Sequence, residues 1–469
     1  MSTDTTTTST AAPPTDRQLR VLLTVVSAAT FLASLDLFIV NIAFSTLGAA
    51  FPDSGSSLAW VLNGYTITFA ALLAPAGRLA DRFGRRRVFL TGLAVFTAAS
   101  VGCALAWDVW TLVGFRVVQG IGGAMITGTS LALLLHSFPP ARRGTAIATW
   151  AAIGAVAAAL GPPLGGLLVE LSWRWVFLVN VPVGVVALLV GMRVLTESRD
   201  EAERRRPDAL GTVVLITAVA ALSYALVQAP DTGWASGSTL GWGAAAVVLA
   251  VAAVLRSAKA GPDLVPALSL PLFRTRAYTL ACLSIAAFFG AFGAMLLHNV
   301  YWLTVGWGMS TVLAGVALTP GPVVAAVSAL AGGRLGACIG PGPVAALGGL
   351  SLALGVLWWV VLVDTTPDYL VAFLPGSLLT GLGVGFTIAN LSTAASQALP
   401  PQWLATGTAT CNAARQLGAT LGVALLLAVV PLSESGGLAG ADRGWWLSIG
   451  LAVLASVTAA FIRRPAPVG

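Results

Sequence analysis

Three charged side chains stand inside long apolar runs of this 469-residue chain: Asp36, Arg116 and Arg415. Of the 18 acidic residues, only Asp36 falls well inside such a run, in "FLASLDLFIVNIAF", residues 31–44. It follows Arg20 by 16 residues, roughly 24 Å along a helix, too far to snorkel back to an aqueous edge. An Asp at the centre of a membrane-spanning helix costs on the order of 2.5–3.5 kcal/mol. It can escape that cost by taking a proton or by pairing with a cation, and the chain offers Arg116 and Arg415 for the second. A carboxylate that alternates between protonated and Arg-paired states can carry a proton across a membrane. A fixed pair that only joins helices is the alternative, and the sequence leaves both readings open for Arg415.

The elements that must position these groups are apolar helices. Hydrophobic residues make up 57% of the chain and charged ones 9%, against about 25% charged in soluble domains. With a mean hydropathy of +0.88, too little polar side chain remains to coat a soluble surface, so an all-α polytopic membrane protein is expected. About fourteen apolar runs are long enough to span, the second over 57–76 and the fifth over 144–169. Placing the N-terminus in the cytoplasm puts 21 of the 25 Lys and Arg residues on cytoplasmic segments. Only Arg174 and Arg443 then lie outside, which predicts both termini inside. The net charge of +7 therefore reflects orientation, and no nucleic-acid partner is expected.

The layout reads as six spans, two, then six. A polar, Thr-rich tail over 1–18 carries no cleavable leader, and a six-helix unit over 19–195 follows. A charged cytoplasmic linker, 196–208, leads to two central helices over 209–258. A second linker, 259–276, precedes a six-helix unit over 277–464 and a short tail, 465–469. The first linker reads as a solvated segment that carries orienting charge. "GRLADRFGRRR" (77–87) and "GRLGACIGPGP" (333–343) stand at the same place in the two units, an internal repeat of the kind transporters show. The four cysteines show no metal-ligand spacing, and no metal is expected. Arg outnumbers Lys 24 to 1, a bias of GC-rich genomes such as those of actinobacteria.

Other stretches carry mechanical chemistry. In "RVVQGIGGA" (116–124) the glycines permit close helix approach. In "LGPPLGG" (160–166) Pro162 and Pro163 remove backbone donors and bend the helix, beside Gly161, Gly165 and Gly166. In 77–87, Asp81 sits among arginines, with Gly77, Arg82, Gly84, Arg85 and Arg86 around it. It is placed to hold a gate shut against an Arg or a helix N-terminus. Polar and aromatic residues within spans are candidates for a substrate cavity: Asn41, Asn63, Tyr65, Phe69, Gln119, Trp150, Phe289, Phe292, Asn299, Tyr301 and Asn390, with Arg415.

Together these stretches resemble the major facilitator superfamily, and within it the fourteen-helix drug:proton antiporters. "LDLFIVNIAF" (35–44) is similar to that family's first-helix signature, and 77–87 to the superfamily's motif between helices two and three. Residues 116–124 resemble the fourth-helix motif, 160–166 the antiporter motif, and "WRWVFLVNVPVG" (173–184) a match of the fourteen-helix group. The chain departs at Ala157, where the antiporter motif opens with Gly, and at Ala337, which stands where Asp81 stands in the first unit. The resemblance implies Asp36 as proton carrier and Arg116 as its tuner. It also implies Gly77, Asp81, Gly84 and Arg85 as gate elements, and Gly161 with Pro162 as an exporter's hinge.

The expected function is proton-coupled efflux of small lipophilic or amphipathic compounds across a bacterial cell membrane. It would work by alternating access, in a monomer, with no cofactor beyond the proton gradient. A phosphate-binding GxxxxGK[ST] loop cannot be built around Lys259, the sole lysine, so ATP is not the driver. A membrane enzyme would need clustered acids or histidines at one depth. A sensor would tolerate loss of Asp36, and a metabolite or lipid-precursor transporter would share the fold.

Overall fold

The computed structural model describes residues 15–51, 57–198, 206–261, 264–268, 270–399, 404–430 and 442–462. Residues 1–14 of the expected tail and 199–205 of the charge run 196–208 lie outside them, whereas 15–18, expected as tail, cap and begin α1. In chain order the helices are α1 (Asp16–Ile42), α2 (Phe44–Ala50), α3 (Ala59–Phe83), α4 (Arg85–Ala104), α5 (Val109–Ser137), α6 (Pro140–Leu171), α7 (Trp175–Leu178) and α8 (Asn180–Val194). After them come α9 (Ala209–Thr232) and α10 (Gly237–Ala258). The last group is α11 (Arg276–Tyr301), α12 (Thr311–Leu318), α13 (Pro320–Ile339), α14 (Pro341–Leu362), α15 (Leu374–Gln397), α16 (Leu404–Val429) and α17 (Asp442–Ala460). The only strands among the described residues are β1 (Arg206–Pro207) and β2 (Leu264–Val265), a short parallel pair.

Twelve of the helical segments are long and apolar enough to cross a membrane, or thirteen with α3, which bends by 51° between 59–73 and 75–83. Pro75 at that bend removes a backbone donor. The expected fifth run corresponds to α6, of which only Leu160–Leu171 stands out as a shorter apolar helix. α6 runs as one helix through Pro162 and Pro163.

Local chemistry fixes the helix starts. Thr15 and Gln18 form a reciprocal capping box at α1. Asp108 accepts hydrogen bonds from the amides of Trp110 and Thr111 at α5, at 2.8 and 2.9 Å. The first repeat motif proves to be mostly helix. Residues 77–83 end α3, Gly84 alone makes the turn, and α4 begins at Arg85. The second behaves alike, with Gly340 between α13 and α14. Gly84 and Gly340 have φ of 112° and 102°, a region that suits glycine.

Buried apolar clusters show how the two groups of helices meet. The cluster around Leu19 and Leu22, at the start of α1, contains residues of α1–α8 and their connections only. The cluster around Ala459 and Ile462, at the end of α17, contains only residues from Leu272 onward. At the far end of the bundle one cluster joins Leu35, Ile39, Val109 and Leu112 to Ala294, Leu297, Val423 and Leu426. There Gly166 lies against Thr311 and Val312, and Gly315 against Pro162. Among the described residues, clusters join the groups at the far end, while the two clusters near the terminal end each stay within one group.

The helices α9 and α10 attach at both ends. Trp60 of α3 lies 6.1 Å from Tyr224, which lies 5.0 Å from Trp242. At the other end Arg256 grips Asp208 with both Nε and Nη2, and Arg78 donates to the Pro266 carbonyl at 3.0 Å.

Candidate functional site

The apolar far-end seal encloses a polar knot. Asp36, Arg116, Gln119 and Ser100 are all buried, Asp36 at 0% exposure and Arg116 at 1%. Arg116 Nη1 donates to Asp36 Oδ2 in a short ion pair, and to Gln119 Oε1 at 2.7 Å. Gln119 Nε2 donates to Asp36 Oδ1 at 3.0 Å and to Ser100 Oγ at 2.9 Å. Asn180 Nδ2 adds a contact of 3.3 Å to the same Oδ1. Arg116 Nε donates to the Val61 carbonyl at 2.9 Å. The guanidinium carbon lies 4.3 Å from the centre of the Tyr65 ring and 5.8 Å from that of Phe177. Tyr65 in turn donates to the Ala33 carbonyl at 3.2 Å. Both carboxylate oxygens are engaged, as a buried charge requires.

The helix sequences place these groups. Arg116 and Gln119 are three residues apart, so they share a face of α5. The same helix carries Gly120, Gly122 and Gly123. A Cβ at Gly120 would come within 2.8 Å of the Tyr65 carbonyl, and one at Gly122 within 2.6 Å of the Phe96 amide. These glycines let α5 approach α3 and α4 closely enough for Arg116 to reach across to α1, as the sequence anticipated.

The residues at 160–166 serve that packing too. A Cβ at Gly161 would meet Phe38 at 2.5 Å, and Gly165 backs onto Ile39 and Ile42. The segment presses on α1 just past Asp36 and on α12 across the seam.

From Phe38 a line of rings crosses to the C-terminal helices. Phe38 and Phe292 are 6.4 Å apart, and Phe292 and Phe289 6.2 Å, both edge-on. Arg415 ends the line, with its guanidinium carbon 5.2 Å from the Phe289 ring. Arg415 does not reach Asp36.

The cavity candidates divide. Trp150, Phe289, Phe292, Tyr301, Asn41 and Arg415 are half-buried. Trp150 Nε1 donates to Thr30 at 2.8 Å, and Asn41 donates to the Leu37 carbonyl of its own helix at 2.7 Å. The others are buried. Tyr65 and Gln119 belong to the knot, and Phe69 stacks on Tyr65 at 5.7 Å. Asn63 is buried in α3. Asn299 accepts from Trp445 Nε1 at 3.0 Å, and Asn390 donates to the carbonyls of Gly332 and Phe386 at 3.0 and 2.8 Å. An Asn inside a helix finds such local or cross-helix carbonyls readily, so its presence in a span says little about ligands.

In the connection at 77–87 the Asp81 pair is local, while its arginines also reach Glu197, Ser198 and Pro266. Asp81 accepts from Arg85 Nε at 2.9 Å and spans no seam between the helix groups. Arg82 lies over the ring of its neighbour Phe83 at 5.2 Å. A Cβ at Gly84 would strike the Glu197 carboxylate at 2.5 Å. Glu197 accepts from the Arg86 amide at 3.1 Å and lies 3.7 Å from Arg87, while the Arg85 amide donates to Ser198 at 3.0 Å. The expected solvated linker is therefore anchored at its start to the N-terminus of α4. It is anchored at its end too, where the buried Asp208 caps α9. Glu197, Asn180 and Ser100 are the partners that sequence reasoning did not assign. Asn180 stands in the quoted "WRWVFLVNVPVG", but only the fold brings it to Asp36.

The family model for the Major Facilitator Superfamily matches residues 26–423. A methylenomycin A resistance protein of Bacillus subtilis is 33% identical over 437 residues, covering 92% of this chain and 90% of that one. The multidrug resistance protein Stp of Mycobacterium tuberculosis is 35% identical over 408 residues, covering 85% of this chain and 74% of that one. Among solved structures, a D-xylose-proton symporter superposes with a TM-score of 0.68 at 16% identity, over 95% of this chain and 98% of its own. That likeness is one of fold. With its polar knot at membrane depth and its two helix groups joined at one end, the chain belongs to the Major Facilitator Superfamily and is a bacterial cell-membrane transporter of small molecules, not an enzyme.

Proposed function

We propose that this chain is a proton-driven exporter of small lipophilic or amphipathic compounds. The observation that carries this reading is the buried Asp36–Arg116 knot, an ionisable pair held where the helix groups close on each other. The names of the relatives, which are resistance proteins, favour efflux over uptake. The reading takes α3 and α6 as complete spans, giving fourteen in a six, two and six arrangement, with both termini in the cytoplasm. The bundle is then open to the cytoplasm and shut outside, and it works as a monomer.

In this state Asp36 is ionised and held by Arg116, Gln119 and Asn180. Substrate enters the space between the helix groups from the inner side. Opening of the far-end seal brings outside water to the knot, and a proton passes to Asp36. The neutral carboxyl no longer holds the guanidinium, which keeps Val61 and Gln119 as acceptors. Substrate leaves to the outside, and the loosened knot lets the helix groups rock back. Return to the inward-open state restores the ion pair and releases the proton inside. One charge moving through 100 mV yields about 2.3 kcal/mol, and tenfold accumulation costs about 1.4 kcal/mol. A gradient of about 150 mV supports roughly a few hundredfold accumulation per proton.

The test is flux in proteoliposomes with an imposed pH gradient, over cationic, neutral and anionic compounds. Asp36→Asn is expected to insert normally and to lose gradient-driven export. Wild-type flux in that variant would overturn the proposal.

A further inference from the structure

The two arginines set inside long apolar runs, Arg116 and Arg415, differ in how they are satisfied. Arg116 has an ion pair and hydrogen-bond acceptors. Arg415 has no ion pair among the described residues, and its Nε is shut from solvent without a hydrogen-bond partner. The Phe289 ring is its recorded contact. A ring face offsets part of the cost of placing a cation away from water, but it accepts no N–H bond in the guanidinium plane. The fork of donors fits a carboxylate or sulfonate. Asp36 cannot serve, since both its oxygens are engaged. Beside Arg415 the rings of Phe289 and Phe292 stand edge-on to one another and half-buried, a surface on which a planar ring can pack.

We propose that Arg415, Phe289 and Phe292 form an anion-recognising subsite, and that the transported compounds include aromatic amphipaths bearing a carboxylate or sulfonate. The guanidinium fork takes the acid group and the phenylalanines take the ring. This deepens the export reading and rests on it, since it takes the space between the helix groups as the substrate path. One proton in for one such anion out moves two charges in the direction the membrane potential favours.

The experiment is equilibrium binding to the full-length protein in phosphatidylcholine nanodiscs at pH 7, with no gradient. Its outcome is therefore separate from the flux test of Asp36. The probes are radiolabelled 1-naphthoate, its neutral amide 1-naphthamide, and tetraphenylphosphonium. Wild-type protein should bind naphthoate at least about tenfold more tightly than the amide, in line with a charge-assisted hydrogen bond. Arg415→Gln should erase that preference without weakening tetraphenylphosphonium binding, and Arg415→Lys should keep part of it. Short-chain phosphatidylglycerol, an anion without a ring, should displace naphthoate at least about tenfold less well than unlabelled naphthoate does. Equal affinity of wild-type protein for naphthoate and amide, or an undiminished preference in Arg415→Gln, would overturn the proposal. Equal displacement by the lipid would overturn its aromatic part. The wild-type comparison decides the matter even where a variant fails to fold.

Discussion

Arg116 and Arg415 are both intramembrane guanidiniums on helices that line the seam, yet their surroundings have little in common. The N-terminal helices enclose Arg116 in acceptors: a carboxylate, an amide oxygen and a backbone carbonyl. The C-terminal helices give Arg415 a ring. The contrast extends to the turns. In the first repeat Asp81 and Glu197 tie the connection at Gly84 to its neighbours. In the second, Ala337 replaces the Asp at the corresponding position. One related unit has concentrated paired charge and the other aromatic surface. In a membrane a charge that is fully paired is a structural or switching element, while one left open is available to a ligand.

The strongest way to break that comparison is to delete each arginine. Arg116→Ala leaves Asp36 buried beside Gln119 and Asn180, without its cation. Removing one partner of a buried pair costs about 3–5 kcal/mol, so the variant should show a marked loss of thermal stability in detergent. Combining it with Asp36→Asn should recover much of that loss. Arg415→Gln removes a charge that no carboxylate balances, and stability should stay level or rise. Equal losses at the two positions would erase the distinction.

The two single-glycine turns offer the next test. Gly84→Ala and Gly340→Ala both force a Cβ residue to a φ above 100°, at a cost of about 1–3 kcal/mol. At Gly84 the added Cβ also meets the Glu197 carboxylate at 2.5 Å. Gly84→Ala should therefore destabilise more than Gly340→Ala, and Glu197→Ala should narrow the gap. A smaller effect at Gly84 than at Gly340 would contradict the tie to Glu197.

A finer probe is Asn180→Ala. It removes a 3.3 Å hydrogen bond to Asp36 and leaves Arg116 and Gln119 in place. One such bond is worth about 0.5–1.5 kcal/mol, so the variant should melt slightly lower in detergent than the wild type. An unchanged melting temperature would reduce Asn180 to a packing residue.

How far the sequence reaches follows from the range of each interaction. The helices are legible because apolar runs of spanning length have few other uses. Asp36 and Arg116 stand out because each is an isolated charge in such a run. The echo of Gly-Arg-Leu at 77 and 333 marks two turns that the fold builds alike, each on one glycine. What could not be read are contacts between residues far apart in the chain: Asn180 reaches Asp36 from 144 positions away, and Glu197 reaches Arg86 from 111. The partners of the intramembrane asparagines were equally illegible, since Asn299 and Asn390 find theirs across helices. The bend of α3 at Pro75 was not read from the sequence, while Pro162 and Pro163 sit where α6 packs on α1 and α12.

The smallest effect is expected at Asp208, where paired charge recurs outside the two repeats. Its carboxylate is buried, which by itself raises its pKa. The hydrogen bonds from Arg256 and from the Gly211 amide outweigh that and hold it below the usual range. A depressed carboxylate stabilises the fold wherever it is ionised, and the benefit fades as pH falls through its folded value. Arg256 is 38% exposed, so solvent limits the contribution to a few tenths to about 1 kcal/mol. Asp208→Asn keeps an oxygen to cap α9 but loses the charge on which Arg256 closes. Its melting temperature should lie slightly below that of the wild type from about pH 5 to pH 8, and the two should converge below about pH 4. A gap that persisted undiminished into acid would locate the effect in the cap. Paired charge in this chain would then owe its value at this third place to helix capping, and the likeness to the Asp36–Arg116 knot would end there.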